Sequence, residues 1–106
     1  YFKDNAIIAW GKVGADGTLA QNFGVASSTS TNTGTYNVVI DTAVGAADLL
    51  IVNVTPEQDS PPSGTASLRI PTVNQVTGSN RYFQVFMADG NGNLVNNDFL
   101  FIATGR

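Results

Sequence analysis

Residues 9–40 read AWGKVGADGTLAQNFGVASSTSTNTGTYNVVI, and this stretch decides the fold because a tight turn and a small-polar segment divide it into three strand-like runs. The first run, Asn5 to Val13, leads into Asp16-Gly17, a pair that favours the positive φ angles of hairpin turns. The sequence therefore predicts a strand followed by a hairpin-like turn.

The rest of the stretch predicts two more strands. Phe23 to Ser28 is the next strand-like run, and the hydroxyl-rich residues 28–34 predict either a loop or a strand edge that Gly34 closes. Thr35 to Ile40 follows as a strand. Its period-two alternation places Tyr36, Val38 and Ile40 on a core face and Asn37, Val39 and Asp41 on the other face.

Beyond residue 40, strand and loop signals continue to alternate. Asp48 to Thr55 is apolar on both faces, which predicts a strand between two packed layers. Residues 57–64 hold two prolines and a glycine and predict a long exposed loop. Ala66 to Val76 predicts one or two short strands around Pro71, because a proline cannot donate to a central ladder.

The last third of the chain predicts two further strands, Arg81 to Ala88 and Asp98 to Thr104, with turns at residues 78–80 and 89–93. A single helical turn near residues 44–47 is the one helical signal. Six to eight short strands between turn signals are typical of an all-β, antiparallel β-sandwich or barrel, and we expect the sandwich.

Composition limits the size and the partners of the molecule. The 106 residues suit a single domain spanning the whole chain, residues 1–106. Only 12% of them are charged, so shared apolar faces between copies are expected. The net charge of −3 and five scattered basic residues argue against nucleic acid, whose phosphates bind Lys and Arg. No apolar run approaches the roughly 20 residues of a membrane-spanning helix.

Catalytic and metal-binding signals are weak. The chain has no histidine and no cysteine, which removes the common triads and most transition-metal sites. Glu57 and Asp59 have the carboxyl groups of a glycosidase pair, but their loop favours solvated charges. The Asp89-x-Asn91-x-Asn93 run begins like a calcium loop, yet lacks the later glycine and glutamate and predicts a plain turn. We therefore expect a non-catalytic domain without cofactor or metal.

Several aromatic and polar side chains are candidates for binding a glycan. Aromatic rings offer apolar faces on which sugars stack, although burial in the core or in a subunit interface is the alternative for each of them. The aromatic candidates are Trp10, Tyr36, Tyr82 and Phe83, and the hydrogen-bonding ones are Arg81, Gln84, Asn96, Asn97 and Asp98. Among these we predict the ligand-binding residues to be Trp10, Arg81, Tyr82, Gln84, Asn96 and Asn97.

The order of these motifs resembles a short β-domain of bacteriophage tail fibres and tailspikes. The resemblance comprises Ala-Trp-Gly at 9–11, Asp-Gly at 16–17, Phe-Gly-Val at 23–25 and Thr-Gly-x-Tyr-x-Val-x-Ile at 33–40. It continues at residues 51–56, 83–85 and 98–105. It implies a β-sandwich that assembles as a homotrimer, near the C-terminal end of a longer fibre or spike protein. The start at Tyr1 without a methionine also indicates a fragment.

This resemblance implies a function in the virion tail, namely attachment to a bacterial surface polysaccharide or other glycan together with fibre trimerisation. One alternative is a purely structural trimerisation knob without a ligand. Another is a carbohydrate-binding module similar to the H-type lectins, in a secreted or cell-surface bacterial protein. A depolymerase is the remaining hypothesis, and it has the least support from the residues of this chain.

Overall fold

Eight antiparallel strands form two packed four-stranded sheets in the computed structural model, which describes residues 6–41, 50–75 and 81–105. The strands are β1 Ala6–Val13, β2 Leu19–Phe23, β3 Val25–Asn32, β4 Thr35–Ile40, β5 Ile51–Pro56, β6 Ile70–Gln75, β7 Tyr82–Ala88 and β8 Phe99–Gly105. The first sheet has the order β2-β1-β8-β5 and the second β3-β4-β7-β6. The expected all-β sandwich is therefore confirmed. The predicted helical turn near residue 44 and the turn at 78–80 lie outside the described residues.

The predicted hairpin joins β1 to β2. Gly17 has a φ of 90°, and its N–H donates to the carbonyl of Gly14 at 2.8 Å, while the N–H of Gly14 donates to Thr18 at 2.8 Å. A residue with a side chain rarely adopts such a φ, so the glycine of the Asp-Gly pair is what permits this turn.

The predicted strand from Phe23 to Ser28 is confirmed from Val25 onward, but its start is wrong because the chain changes sheet at Gly24. The strand β2 ends at Phe23 in the first sheet, and β3 begins at Val25 in the second. Gly24 has a φ of 72°, and a Cβ at this position would collide with the carbonyl oxygen of Ile8. The hydroxyl-rich segment that follows is strand as far as Asn32, and it lies at the edge of the second sheet.

Two other segments occupy sheet edges. The strand β5 was predicted to lie between packed layers, but it is the last strand of the first sheet, and Ile51 is 60% exposed. The strand β6 forms the edge of the second sheet opposite β3. It contains Pro71 and follows a 3-10 turn at Thr65–Ser67. An edge position accommodates Pro71 because no central ladder bond is lost there.

The core lies between the inner faces of the sheets. The alternation predicted for β4 is confirmed, with Tyr36 and Val38 fully buried, and β7 alternates in the same way, with Phe83, Val85 and Met87 fully buried. Two edge-to-face ring pairs bridge the sheets: Tyr36 with Phe99 at 5.1 Å, and Phe83 with Phe101 at 5.3 Å between centroids. Such pairs add about 1 kcal/mol beyond the burial of their area.

Charged side chains are nearly absent from the strands. Lys12 is the single charged residue in the eight strands, and the carboxylates of the described residues lie in turns and loops. Within those same residues, no helix has the length and the apolar character needed to cross a membrane.

Candidate functional site

The residues predicted to bind a ligand lie in three separate places. Trp10 is on the outer face of the first sheet, whereas Arg81, Tyr82 and Gln84 are at the start of β7 in the second sheet. Asn96 and Asn97 are in the loop before β8, where Asn96 contacts Gly34 near the other end of β7. The length of β7, roughly 20 Å, separates this loop from Arg81. Of the six predicted residues, Asn96 and Asn97 are the two that line a common cleft.

That site is a polar cleft of about 270 Å³ at one end of the sandwich. One wall is the proline-rich loop at residues 57–62 with Ser67, and the other is formed by residues 96–98 and Ala15. Among the described residues, no lysine, arginine or aromatic side chain lines it. The cleft thus presents mainly amide, hydroxyl and carboxylate groups.

Asn97 holds the two walls of the cleft together. Its Nδ2 donates to the carbonyl oxygens of Glu57, at 2.9 Å, and Asp98, at 2.8 Å. Its Oδ1 accepts from Nε of Arg69 at 3.0 Å, and its backbone N–H donates to Tyr36 Oη at 3.1 Å. Because the polar atoms of this side chain are engaged within the protein, Asn97 positions the cleft.

Tyr36 connects the cleft to the core. Its ring is fully buried, and its Oη donates to the carbonyl of Ala15 at 2.8 Å while accepting from Asn97. Burial raises the pKa of the Tyr36 hydroxyl, and the negative charges of Asp98 and Asp16 act in the same direction, against the hydrogen bond from Asn97. The neutral phenol is therefore the favoured form, and it can both donate and accept.

Three side chains offer unengaged atoms to the cleft. Asp98 accepts from the Ala15 N–H at 2.7 Å through Oδ1, and Asn96 accepts from the Gly34 N–H at 2.8 Å through its own Oδ1. The second oxygen of Asp98, the amide nitrogen of Asn96 and both oxygens of Asp59 have no hydrogen-bond partner within the described part of the chain. These three residues are exposed, so the atoms can meet a ligand.

The two carboxyl groups considered as a glycosidase pair lie in this cleft as solvent-accessible charges. Glu57 forms an ion pair with Lys12, with 3.2 Å between Oε2 and Nζ, and Asp59 is exposed. A general acid needs a desolvated carboxyl group, and neither side chain has that environment.

The calcium-like run at residues 89–93 is a turn that uses its own carboxylate. Oδ1 of Asp89 accepts from the backbone N–H groups of Asn91, at 2.9 Å, and Asn93, at 3.0 Å. Across residues 6–41, 50–75 and 81–105, no three acidic, histidine or cysteine side chains are grouped to hold a metal ion.

The outer face of the second sheet carries a row of amides. Gln84 donates to Oδ1 of Asn37 at 3.0 Å and accepts from Nδ2 of Asn74 at 2.9 Å, so its amide bridges three strands. Arg81 donates from Nε to the carbonyl of Ile40 at 3.0 Å. Both side chains thus stabilise the sheet, while Tyr82 lies half-buried beside them.

Trp10 belongs to an apolar surface on the outer face of the first sheet. Strand register pairs Trp10 with Phe23 on one side and Ile102 on the other, so the three share a face. The Trp10 and Phe23 rings stack with centroids 6.4 Å apart. Neither Phe23 nor Ile102 was predicted as a surface residue, although the apolar run Phe99–Ile102 already indicates that both faces of β8 are hydrophobic.

Comparison of the chain with protein-family models, with curated proteins and with solved structures finds no match. The chemistry of the cleft and of the two outer faces is therefore the basis for assigning a function.

Proposed function

We propose that this domain is a non-catalytic attachment module that binds a bacterial surface glycan in the polar cleft. In this proposal it belongs to a trimeric fibre or spike of the phage tail-fibre type and acts at the virion tail. The observation that carries the proposal is the set of unengaged polar atoms on Asp59, Asn96 and Asp98 beside a frame that Asn97 and Tyr36 fix, with Asn96 and Asp98 each anchored by a backbone hydrogen bond.

The chemistry of these groups supports a sugar ligand. Hydroxyl groups of a sugar donate hydrogen bonds to carboxylate oxygens and accept them from an amide nitrogen, and the cleft offers both. Hydrogen bonds to charged groups contribute about 1.5–3 kcal/mol each. A fixed frame limits the side-chain entropy that binding removes. Weak binding at one cleft is strengthened when several copies engage one polysaccharide.

A double substitution in the cleft tests the proposal. We expect Asp59→Ala with Asn96→Ala to weaken glycan binding roughly tenfold or more, because two ligand hydrogen bonds are lost. The measurement is glycan-array binding of the domain, followed by titration with the best-bound oligosaccharide. Thermal unfolding is measured in parallel. Asp59→Ala should change it little, since Asp59 is exposed and has no partner in the described structure. Asn96→Ala removes the acceptor of the buried Gly34 N–H and should lower stability by about 1–3 kcal/mol, so binding is compared at a temperature where both proteins are folded.

Two variants serve as controls for this test. Asn22→Ala removes an exposed amide on β2, outside the cleft lining, and should leave binding unchanged. Tyr82→Ala tests the outer face of the second sheet. Loss of binding in Tyr82→Ala together with normal binding in the cleft variant would place the ligand on that sheet and refute our assignment. If the domain released shortened oligosaccharides from the polysaccharide, the proposal that it is non-catalytic would be refuted.

The second candidate function is a purely structural assembly knob, and the apolar outer face of the first sheet favours it. A well-folded protein that binds no glycan on the array or on host cells, but still assembles, would support this function over attachment.

A further inference from the structure

The outer face of the first sheet exposes most of the large apolar side chains on the described surface. Register and alternation place six of the nine exposed ones on this face, at 38–60% exposure. We call this surface the apolar face, and its members are Ile7, Trp10, Phe23, Ile51, Leu100 and Ile102. The other three, Leu68, Ile70 and Leu94, lie outside the first sheet.

We propose that a second copy of this chain covers the apolar face. Six large side chains, half exposed at about 200 Å² each, leave about 600 Å² of apolar surface. A stable interface buries about 800 Å² from each partner. The polar neighbours Gln21, Asn53 and Thr55 on the same face supply further area, so the face has the size that an interface between two copies requires.

Charge also suits an identical partner. Two copies of one face place like charges near each other, which disfavours association unless the face is neutral. Lys12 is the one charged residue on the strands of this face, and Glu57 neutralises it at 3.2 Å. The Lys12–Glu57 pair remains partly solvated at 42% and 35% exposure, so association need not bury an isolated charge.

The shape of the apolar face is complementary to itself. Leu100 and Ile102 line two depressions, one of about 280 Å³ shared with β1 residues and one of about 150 Å³ shared with β5 residues. The β8 side chains therefore form a ridge between two grooves. The ridge of one copy can therefore enter a groove of the next copy, either in a pair or in a closed ring of three.

Two substitutions matched for exposure test this proposal. Ile102 is 47% exposed on the apolar face, and Ile70 is 51% exposed on the edge strand β6 of the second sheet. We expect the unmodified chain to sediment as two or three chains at micromolar concentration. The Ile102→Glu variant should lose this assembled species, because a charge would be buried without a partner. The Ile70→Glu variant should assemble normally.

Trp10 provides a second measurement that does not depend on how well a variant folds. It is the single tryptophan of the chain, and it is 42% exposed in one copy. Assembly of the unmodified protein should protect Trp10 fluorescence from acrylamide quenching, and dilution should remove the protection.

Three results would overturn the proposal. The first is a chain that stays single at all concentrations, with Trp10 quenched equally throughout. The second is an assembly that Ile70→Glu abolishes and Ile102→Glu leaves intact. The third is a single chain that binds phosphatidylcholine vesicles through Trp10, which would make the partner a lipid surface. Because no glycan enters these measurements, they are independent of the attachment proposal.

Discussion

Replacing Phe83 by alanine is expected to destabilise the domain by about 3–5 kcal/mol, the range observed when a buried aromatic side chain is truncated. Phe83 is fully buried on β7 and packs edge-to-face on Phe101 of the opposite sheet, with 5.3 Å between ring centroids. Truncation removes the contacts that the ring makes in the core and leaves a cavity between the two sheets. Total stabilities of 5–15 kcal/mol are usual, so much of the fold's stability would be lost.

The measurement is chemical denaturation at one fixed protein concentration, because association would otherwise shift the apparent stability. Ile70→Ala is the control, since its side chain is half exposed on an edge strand and should cost less than about 1 kcal/mol. A Phe83→Ala variant as stable as Ile70→Ala would contradict the packing described for the core.

The second large effect is expected from Tyr36→Phe, which removes one oxygen atom and leaves two partly buried groups unpaired. The carbonyl of Ala15 loses its donor, and the N–H of Asn97 loses its acceptor. An unsatisfied group costs about 1–3 kcal/mol when it is fully buried. Because these two groups are partly buried, each should cost nearer the lower end, and we expect a loss of about 2–4 kcal/mol in the free energy of unfolding. Glycan binding should also weaken, because Asn97 orients the cleft.

The pH dependence of unfolding gives an independent measure of the same group. Burial raises the pKa of Tyr36 above the value of about 10 that a tyrosine has in the unfolded chain. The neutral form is thus favoured on folding, and its contribution is fully present below the unfolded pKa. It is lost as pH rises through the folded pKa, so stability should fall above about pH 10, and Tyr36→Phe should remove that part of the decline.

Tyr82→Phe is the matched control for both measurements. Tyr82 is half-buried, and its hydroxyl has no hydrogen-bond partner among the described residues. We expect little change in the free energy of unfolding when it becomes phenylalanine. If the two substitutions had equal effects, the hydrogen bonds of Tyr36 would make no specific contribution to the free energy of unfolding.

Local sequence patterns were sufficient to predict the strands that lie inside the sheets. Alternation in Thr35–Ile40 and Tyr82–Ala88 identifies the buried side chains because one face of each strand meets the core and the other meets water or polar neighbours. The Asp-Gly pair at 16–17 was also enough to place the first turn, since its geometry is set by the glycine itself.

The two errors of sequence interpretation have a common physical cause. The strand break at Gly24 is fixed by the carbonyl of Ile8, a contact between residues distant in the chain. The apolar residues of β5 predicted that both faces of this strand are buried. In a single chain only the inner face of β5 is buried, and the outer face is exposed. A second copy on the apolar face would supply the missing cover.

The candidate site could be predicted only in part from the sequence, for a similar reason. Asn96 and Asn97 could be selected as exposed amides near a turn, but the partners of Asn97 lie at residues 36, 57 and 69. Gln84 has the same side chain chemistry as a ligand-binding glutamine, yet its amide is occupied by Asn37 and Asn74. Hydrogen-bond partners decide these roles, and they come from other strands.

The pairing of β1 with β8 determines how the domain would respond to a pulling force. Ala6 lies opposite Gly105 in the antiparallel ladder, so the first and last described strand residues are neighbours at one end of the sheet. The hydrogen bonds between antiparallel strands run perpendicular to the strands. Tension applied across Ala6 and Gly105 would therefore open the ladder one bond at a time, like a zipper. A fibre that used this domain would be mechanically stronger if tension passed between neighbouring copies instead.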